Sequence, residues 1–248
     1  MPDKIVRDFF GIPVEMINFD MLMQNIVSAI ASGSRTTISY ANLNTLNVLY
    51  KNVQLHELYS GFTIIHQDGV GVYLASKFLY AKNALANRLT GSDFYEYAKD
   101  YFAESPHRLF FFGDTEENLS AIREHSPRLN IVGLQDGYTF DDAQVIQSVN
   151  ESNCDVLFVG LGSPKQEIWV QENKAKLNVP VIICVGDGIK VFCGKKVRGP
   201  IWAQKAGLEW FFRFIHDPVR LWKRYIIGIP LFFLRVFRIK VFTRKDVR

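Results

Sequence analysis

Short runs of β-branched, aliphatic and aromatic residues alternate along this chain with longer stretches whose apolar positions recur every three or four residues. The short runs are residues 36–41, 62–66, 108–113, 130–134, 155–161 and 181–185, each with the length and composition of a strand. Helical stretches separate most of them. Residues 19–30 predict a helix behind an Asn18 cap, and residues 9–18 a short edge hairpin or entry strand. This alternation predicts an α/β fold, a single Rossmann-like domain whose mainly parallel sheet is covered by helices on both faces.

On a parallel sheet the carboxyl ends of the strands share one edge, where open α/β folds place their ligands. Residues 155–171, DVLFVGLGSPKQEIWVQ, run from an apolar strand through Gly160 and Gly162 to Pro164 at a helix start. Lys165, Gln166 and Glu167 crowd the first turn. Unpaired N–H groups at a helix N-terminus, approached past glycines, suit an anion such as a phosphate. An ordinary strand–helix turn uses the same small residues, so both readings stay open here. The pattern recurs at Gly69 and Gly71 and again at Gly186 and Gly188, which suggests turns converging on one ligand. Asp68 stands beside the first of these pairs. There it suits a general base, and equally a cap for a helix beginning near Val70. Arg88 precedes a helix entry with Thr90 or Ser92 as cap, and is either aimed at phosphate or solvated. Gly137 and Tyr138 follow the fourth run, where the ring either stacks on a nucleobase or packs on the domain.

Charge divides the chain. Of a net +4 over 248 residues, residues 213–248 hold ten Lys/Arg and two Asp/Glu, a local +8 that leaves −4 for residues 1–212. A composition break near Gly199 and Pro200 predicts two parts: 1–199, a catalytic domain, and 200–248, a basic, aromatic-rich appendage. There Trp210, Phe211, Phe214, Trp222 and Tyr225 interleave with Arg213, Arg220, Lys223 and Arg224, an interfacial pattern. The uncharged run 225–234 contains Pro230 and is far short of the roughly 20 residues a spanning helix needs. It is expected to lie on an anionic membrane surface, each nearby Lys or Arg contributing about 1 kcal/mol. Packing on the domain or on another copy of the chain, as a homo-oligomer, is the alternative. No nucleic-acid motif accompanies the charge, so no nucleic acid is expected.

The three cysteines form no CxxC, which suits buried thiols and a cytoplasmic setting, and the acidic, interrupted N-terminus does not read as a signal peptide. No histidine or cysteine cluster suggests zinc, no Walker lysine loop is present, and Lys165 stands where the dinucleotide fingerprint needs its third glycine. Neither a cofactor nor a metal is expected.

The segments GIPVEMINFD, QDGVGV, RLTGSDF, FFFGDTEENL, LQDGY, VLFVGLGSPKQEIW, VGDGIKVFCGKKVRGP and GLEWFFRFIHDPVRLWKRY, in that order, resemble the WecG/TagA/CpsF family of bacterial glycosyltransferases over about residues 10 to 225. The resemblance implies an inverting, metal-independent enzyme. It would move a hexose or N-acetylhexosamine, such as N-acetylmannosamine, from a UDP-sugar donor to a polyprenyl-diphosphate-linked sugar in making teichoic acid, capsule, exopolysaccharide or common antigen. It further implies a peripheral position on the inner face of the cell membrane and an appendage that completes the active site. Asp68 then looks like the base and Arg88 like an arginine near the diphosphate. Asn42, Gly69, Gly137, Tyr138, Gly160, Gly162, Lys165, Gln166 and Gly186 fall in the UDP-sugar site. Arg213, Arg220 and Arg224 resemble arginines that close over the leaving diphosphate. Part of the family has a threonine two residues before the asparagine after the first strand, where this chain has Tyr40. A membrane-associated nucleotide-binding scaffold or sensor would keep the glycine turns without needing Asp68.

Overall fold

The computed structural model describes residues 5–84 and 88–243; residues 244–248, the end of the basic tail, lie outside it. Eight strands form one sheet: β1 (Val6–Phe9), β2 (Ile12–Glu15), β3 (Thr36–Ala41), β4 (Ile64–Gln67), β5 (Leu109–Gly113), β6 (Ile131–Gln135), β7 (Val156–Gly160) and β8 (Val181–Cys184). Their order is β1-β2-β4-β3-β8-β7-β5-β6, and every pair is parallel except the β1–β2 hairpin, which turns at Phe10 and Gly11. All six predicted runs are strands, with ends within two residues of expectation.

Alternation within each strand explains the continuous apolar runs. Phe110, Phe112, Leu157, Val159 and Ile182 point into the core on one face, while Leu109, Phe111, Val156, Phe158, Val181 and Ile183 point into the core on the other. A sheet buried on both faces has no polar side to show. The aromatic excess fills these layers: Phe111 stacks on Phe158 with ring centres 4.9 Å apart, and Phe112 meets Trp169 edge-on at 4.8 Å.

The layers outside the sheet are α1 (Phe19–Ser32), α2 (Leu43–Leu49), α3 (Val53–Ser60), α4 (Val70–Tyr80), α5 (Gly91–Ala103), α6 (Glu116–His125), α7 (Asp142–Ser152), α8 (Lys165–Asn173) and the short α9 (Ile189–Phe192). Asn18 caps α1 as expected, accepting from the Met21 N–H at 2.8 Å.

Beyond residue 199 come α10 (Ile201–Ala206), α11 (Glu209–His216), α12 (Pro218–Trp222), a π-helical turn (Lys223–Ile227) and α13 (Gly228–Thr243). No helix among the described residues is long and apolar enough to cross a membrane. One face of the run 225–234 packs on the domain, the alternative read from the sequence. Phe232 and Val236 are fully buried in the core beside α2, with Phe10 edge-on to Phe232 at 5.7 Å. Arg235 donates to the Asn47 carbonyl and side-chain oxygens at 3.0 and 2.8 Å and lies 4.2 Å over the Tyr50 ring. The opposite face stays out, with Ile226, Ile227 and Leu234 about half exposed.

Candidate active site

Along the sheet edge the turns stand in the order β4, β3, β8, β7, β5, β6. Asp68 follows β4. Its Oδ1 accepts from the Gly91 N–H at 2.8 Å and its Oδ2 from Asn42 Nδ2 at 3.2 Å. Gly91 is the first residue of α5, so the partial positive end of that helix holds the carboxylate. Asp68 does not cap α4, whose N-cap is Gly69 with no side-chain cap. Asn42 caps α2 through its oxygen, accepting from the Thr45 N–H at 3.0 Å, and this turns its amide nitrogen toward Asp68. His66, two residues earlier, is fully buried, is paired at Nδ1 with the Gln67 carbonyl at 2.9 Å, and is kept neutral by burial.

The turns after β7 and β8 are locked together from below. Gln166 is fully buried, accepts from the Gly186 N–H at 2.9 Å and donates to Glu167 Oε1 at 2.8 Å. Glu167 also receives the Ser39 hydroxyl at 3.1 Å, and burial raises its pKa. Gln166 therefore fixes the Gly186 turn. Gly160 is glycine for want of room, since a Cβ there would lie 2.3 Å from Ile189 Cδ1. Gly162 has φ +80° with open space beside it, and α8 starts at Lys165 with Pro164 as N-cap, one place later than the sequence suggested. Lys165 is exposed, its ammonium 4.9 Å over the Phe140 ring. Gly137 is packed against Gly113 at the end of β5, and Tyr138 stands 75% exposed beyond it.

Cations arrive from the appendage. Arg213 Nη2 donates to Ser92 Oγ at 3.0 Å, while its buried Nε has no hydrogen-bond partner. Burial opposes its charge, yet Asp187 and Asp68 help to raise its pKa. Arg224 lies near enough for its charge to bear on Asp187 and Tyr40. Arg220 does not join them; exposed, it pairs at 2.7 Å with Asp217, the N-cap of its own helix. Arg88 donates from Nη2 to the Gln204 carbonyl at 2.6 Å and so ties α10 to the domain. Arg198 spans Asp93 on α5 and Glu209 on α11, the second contact at 3.1 Å.

Three groups absent from the expected set share this cleft. Tyr40, on β3, is held as a neutral phenol by burial and by Glu167, Asp68 and Asp187. Asp187, in the β8 turn, pairs through Oδ2 with Lys196 Nζ at 2.5 Å. Desolvation opposes its charge, but Lys196, Arg213 and Arg224 hold the carboxyl well below the usual range. Burial lowers the Lys196 pKa to about 8, against the pull of Asp187. The sequence signal for Asp187 was its place between two glycines at a strand end; Lys196 had none beyond a basic cluster. Among the described residues no group of three or more His, Cys, Asp or Glu is gathered to hold a metal ion. The edge thus presents a carboxylate, Asp68, within electrostatic reach of Arg213 and Lys196, a pairing suited to taking a proton at one end of a substrate and stabilising negative charge at the other.

A family model described as the glycosyl transferase WecG/TagA/CpsF family matches residues 7–246. An N-acetylglucosaminyldiphosphoundecaprenol N-acetyl-beta-D-mannosaminyltransferase of Bacillus subtilis (strain 168) is 30% identical over 205 residues, covering 81% of this chain and 78% of that protein. Its namesake in Staphylococcus aureus (strain MW2) is 27% identical over 241 residues, covering 94% and 92%. With the match running from the first strand through the appendage, the chain belongs to the WecG/TagA/CpsF family and is a glycosyltransferase.

Proposed function

We propose that the protein transfers an N-acetylhexosamine, N-acetylmannosamine in the first instance, from a UDP-sugar to a polyprenyl-diphosphate-linked sugar, with inversion and without a metal ion, in cell-wall or surface polysaccharide synthesis. The observation that carries this reading is Asp68 and the appendage arginine Arg213 acting on one cleft. The acceptor hydroxyl gives its proton to the Asp68 carboxylate as its oxygen attacks the anomeric carbon. The bond to the β-phosphate oxygen breaks and UDP leaves with the electron pair. Arg213 and Arg224 take up the charge on the diphosphate, the part a metal plays elsewhere. Arg88 anchors α10 with one nitrogen, and we assign its other donors to the same diphosphate. Inversion fits the relatives' printed names, since a beta-linked product from an α-linked nucleotide sugar requires it.

A lipid-linked acceptor requires a membrane, and α11 supports that setting. Its Glu209 and Arg213 face inward to polar partners, whereas Phe211 and Ile215 point out, 45% and 61% exposed. This is the reverse of a surface helix that keeps its polar face to water. Trp202, Val219 and Trp222 extend the exposed apolar surface. We place residues 1–199 in the cytoplasm as the catalytic domain and residues 200–248 as the part that meets the inner leaflet peripherally. A UDP-release screen over several UDP-sugars, with a short-chain lipid-diphosphate-sugar acceptor and EDTA present, tests the reading. Turnover with one UDP-N-acetylhexosamine is expected; UDP binding with no turnover on any donor would leave a scaffold or sensor instead.

A further inference from the structure

If the nucleotide lies along the β6 and β7 turns and Asp68 after β4 is the base, the sheet order decides what stands between them. The intervening strands are β8 and β3. Strands lie about 4.8 Å apart, so β7 to β4 spans roughly 14 Å, enough for a sugar ring with a bond being made on one side and broken on the other. The polar side chains at those two strand ends are few. Asn42 is committed to Thr45 and Asp68. The Tyr40 hydroxyl is turned onto the Gly186 turn and Gln166. Asp187 differs: its side chain is 60% exposed, Oδ2 is held by Lys196, and Oδ1 carries no hydrogen bond among the described residues.

We propose that Asp187 is the carboxylate that reads the hydroxyl or amide donors of the transferred sugar, and that Lys196 is its positioning residue. This rests on the transferase reading above. A fixed carboxylate oxygen accepts from neighbouring sugar donors and discriminates between epimers by leaving a charged acceptor unpaired when a hydroxyl points elsewhere. The lysine side chain is only 6% exposed, so its ammonium is shielded from solvent while the carboxylate it holds is open. Its place there has two consequences. It fixes the rotamer of Asp187, and it cancels a negative charge that would otherwise repel the incoming diphosphate.

The test uses the full chain, with UDP-N-acetylmannosamine and its C2 epimer as donors and a short-chain lipid-diphosphate-sugar acceptor. Asp187→Asn, Lys196→Met and Lys196→Arg are compared by kcat/KM for each donor and by calorimetric affinity for UDP alone. Asp187→Asn is expected to lower kcat/KM for the preferred donor by about 10- to 100-fold, the scale of a lost hydrogen bond to a charged group, and to narrow the preference between epimers. UDP affinity should change by less than about threefold, because UDP lacks the sugar. Lys196→Met should lower kcat/KM as Asp187→Asn does and, by leaving the Asp187 charge uncancelled, should also weaken UDP binding, whereas Lys196→Arg should restore most of both losses. Unchanged kcat/KM and epimer preference in Asp187→Asn would overturn the proposal. So would a UDP affinity that shifts as much as kcat/KM, which would put Asp187 at the diphosphate. A wild-type chain that binds no UDP would overturn the transferase reading itself and this inference with it.

Discussion

Lys196 is where residue chemistry and pH meet. With a pKa lowered to about 8 by burial, its ammonium loses its proton as pH rises through 8, while Asp187 opposite stays ionised. The charged groups that face it are Asp187 from the β8 turn, Asp68 from the β4 turn and Arg213 from α11. Donor kcat/KM is therefore expected to fall above pH 8, and Lys196→Arg should remove that limb. Stability should move the other way. Between pH 8 and 10.5 the unfolded chain holds a proton that the folded chain has dropped, so folding gains from this group as pH rises through that window. Melting scans and rate profiles over one pH series check both signs. Glu167 gives a second expectation at this scale. Glu167→Ala strips Ser39 and Gln166 of a buried partner and should cost about 1–3 kcal/mol in denaturant unfolding, apart from any cavity term. The glycine turns and the place of Asp68 beside one of them were legible because turns follow local rules, whereas Asn42 entered only through the family resemblance. That Gln166 faces inward and Lys196 reaches Asp187 was not legible, because both depend on which strands become neighbours.

At the scale of elements, α11 is a carrier for Arg213 and Arg198 is what holds it. Glu209, four residues before Arg213 and so on the same face, meets Arg198, which also meets Asp93 on α5. Lysine cannot span both carboxylates with a planar fork, so Arg198→Lys should displace Arg213 and lower turnover by about 10-fold or more. Arg220→Ala should cost far less than Arg213→Ala or Arg224→Ala, since Arg220 turns to Asp217 away from the cleft. Steady-state rates on a water-soluble acceptor analogue separate these cases. The strands could be read from the sequence because each is an uninterrupted apolar run. The path of α13 could not, since its buried pair Phe232 and Val236 looks like any amphipathic helix until α2 and the Phe10 turn are known to lie beneath it.

The whole molecule is a sheet edge closed by its own C-terminal helices, and the closure joins stability to activity. Phe232→Ala should destabilise the fold by about 3–5 kcal/mol, because the ring is fully buried against the domain. Truncation before α13 is accordingly expected to yield a poorly folded chain rather than one merely released from lipid. Replacing Ile215 and Val219 with serine, both on the outer surface, should weaken binding to anionic vesicles in a sedimentation assay while leaving UDP affinity unchanged. The charge division in the sequence sets residues 213–248 apart from the rest of the chain, but gives no sign that Phe232 of that segment packs in the core. The central claim, proton removal by Asp68 opposite the appendage cations, is tested most directly by Asp68→Asn, with turnover and UDP affinity measured on the same folded protein. Turnover should fall by about 100-fold or more with UDP affinity within about threefold of wild type. Near-normal turnover in that variant would contradict the account.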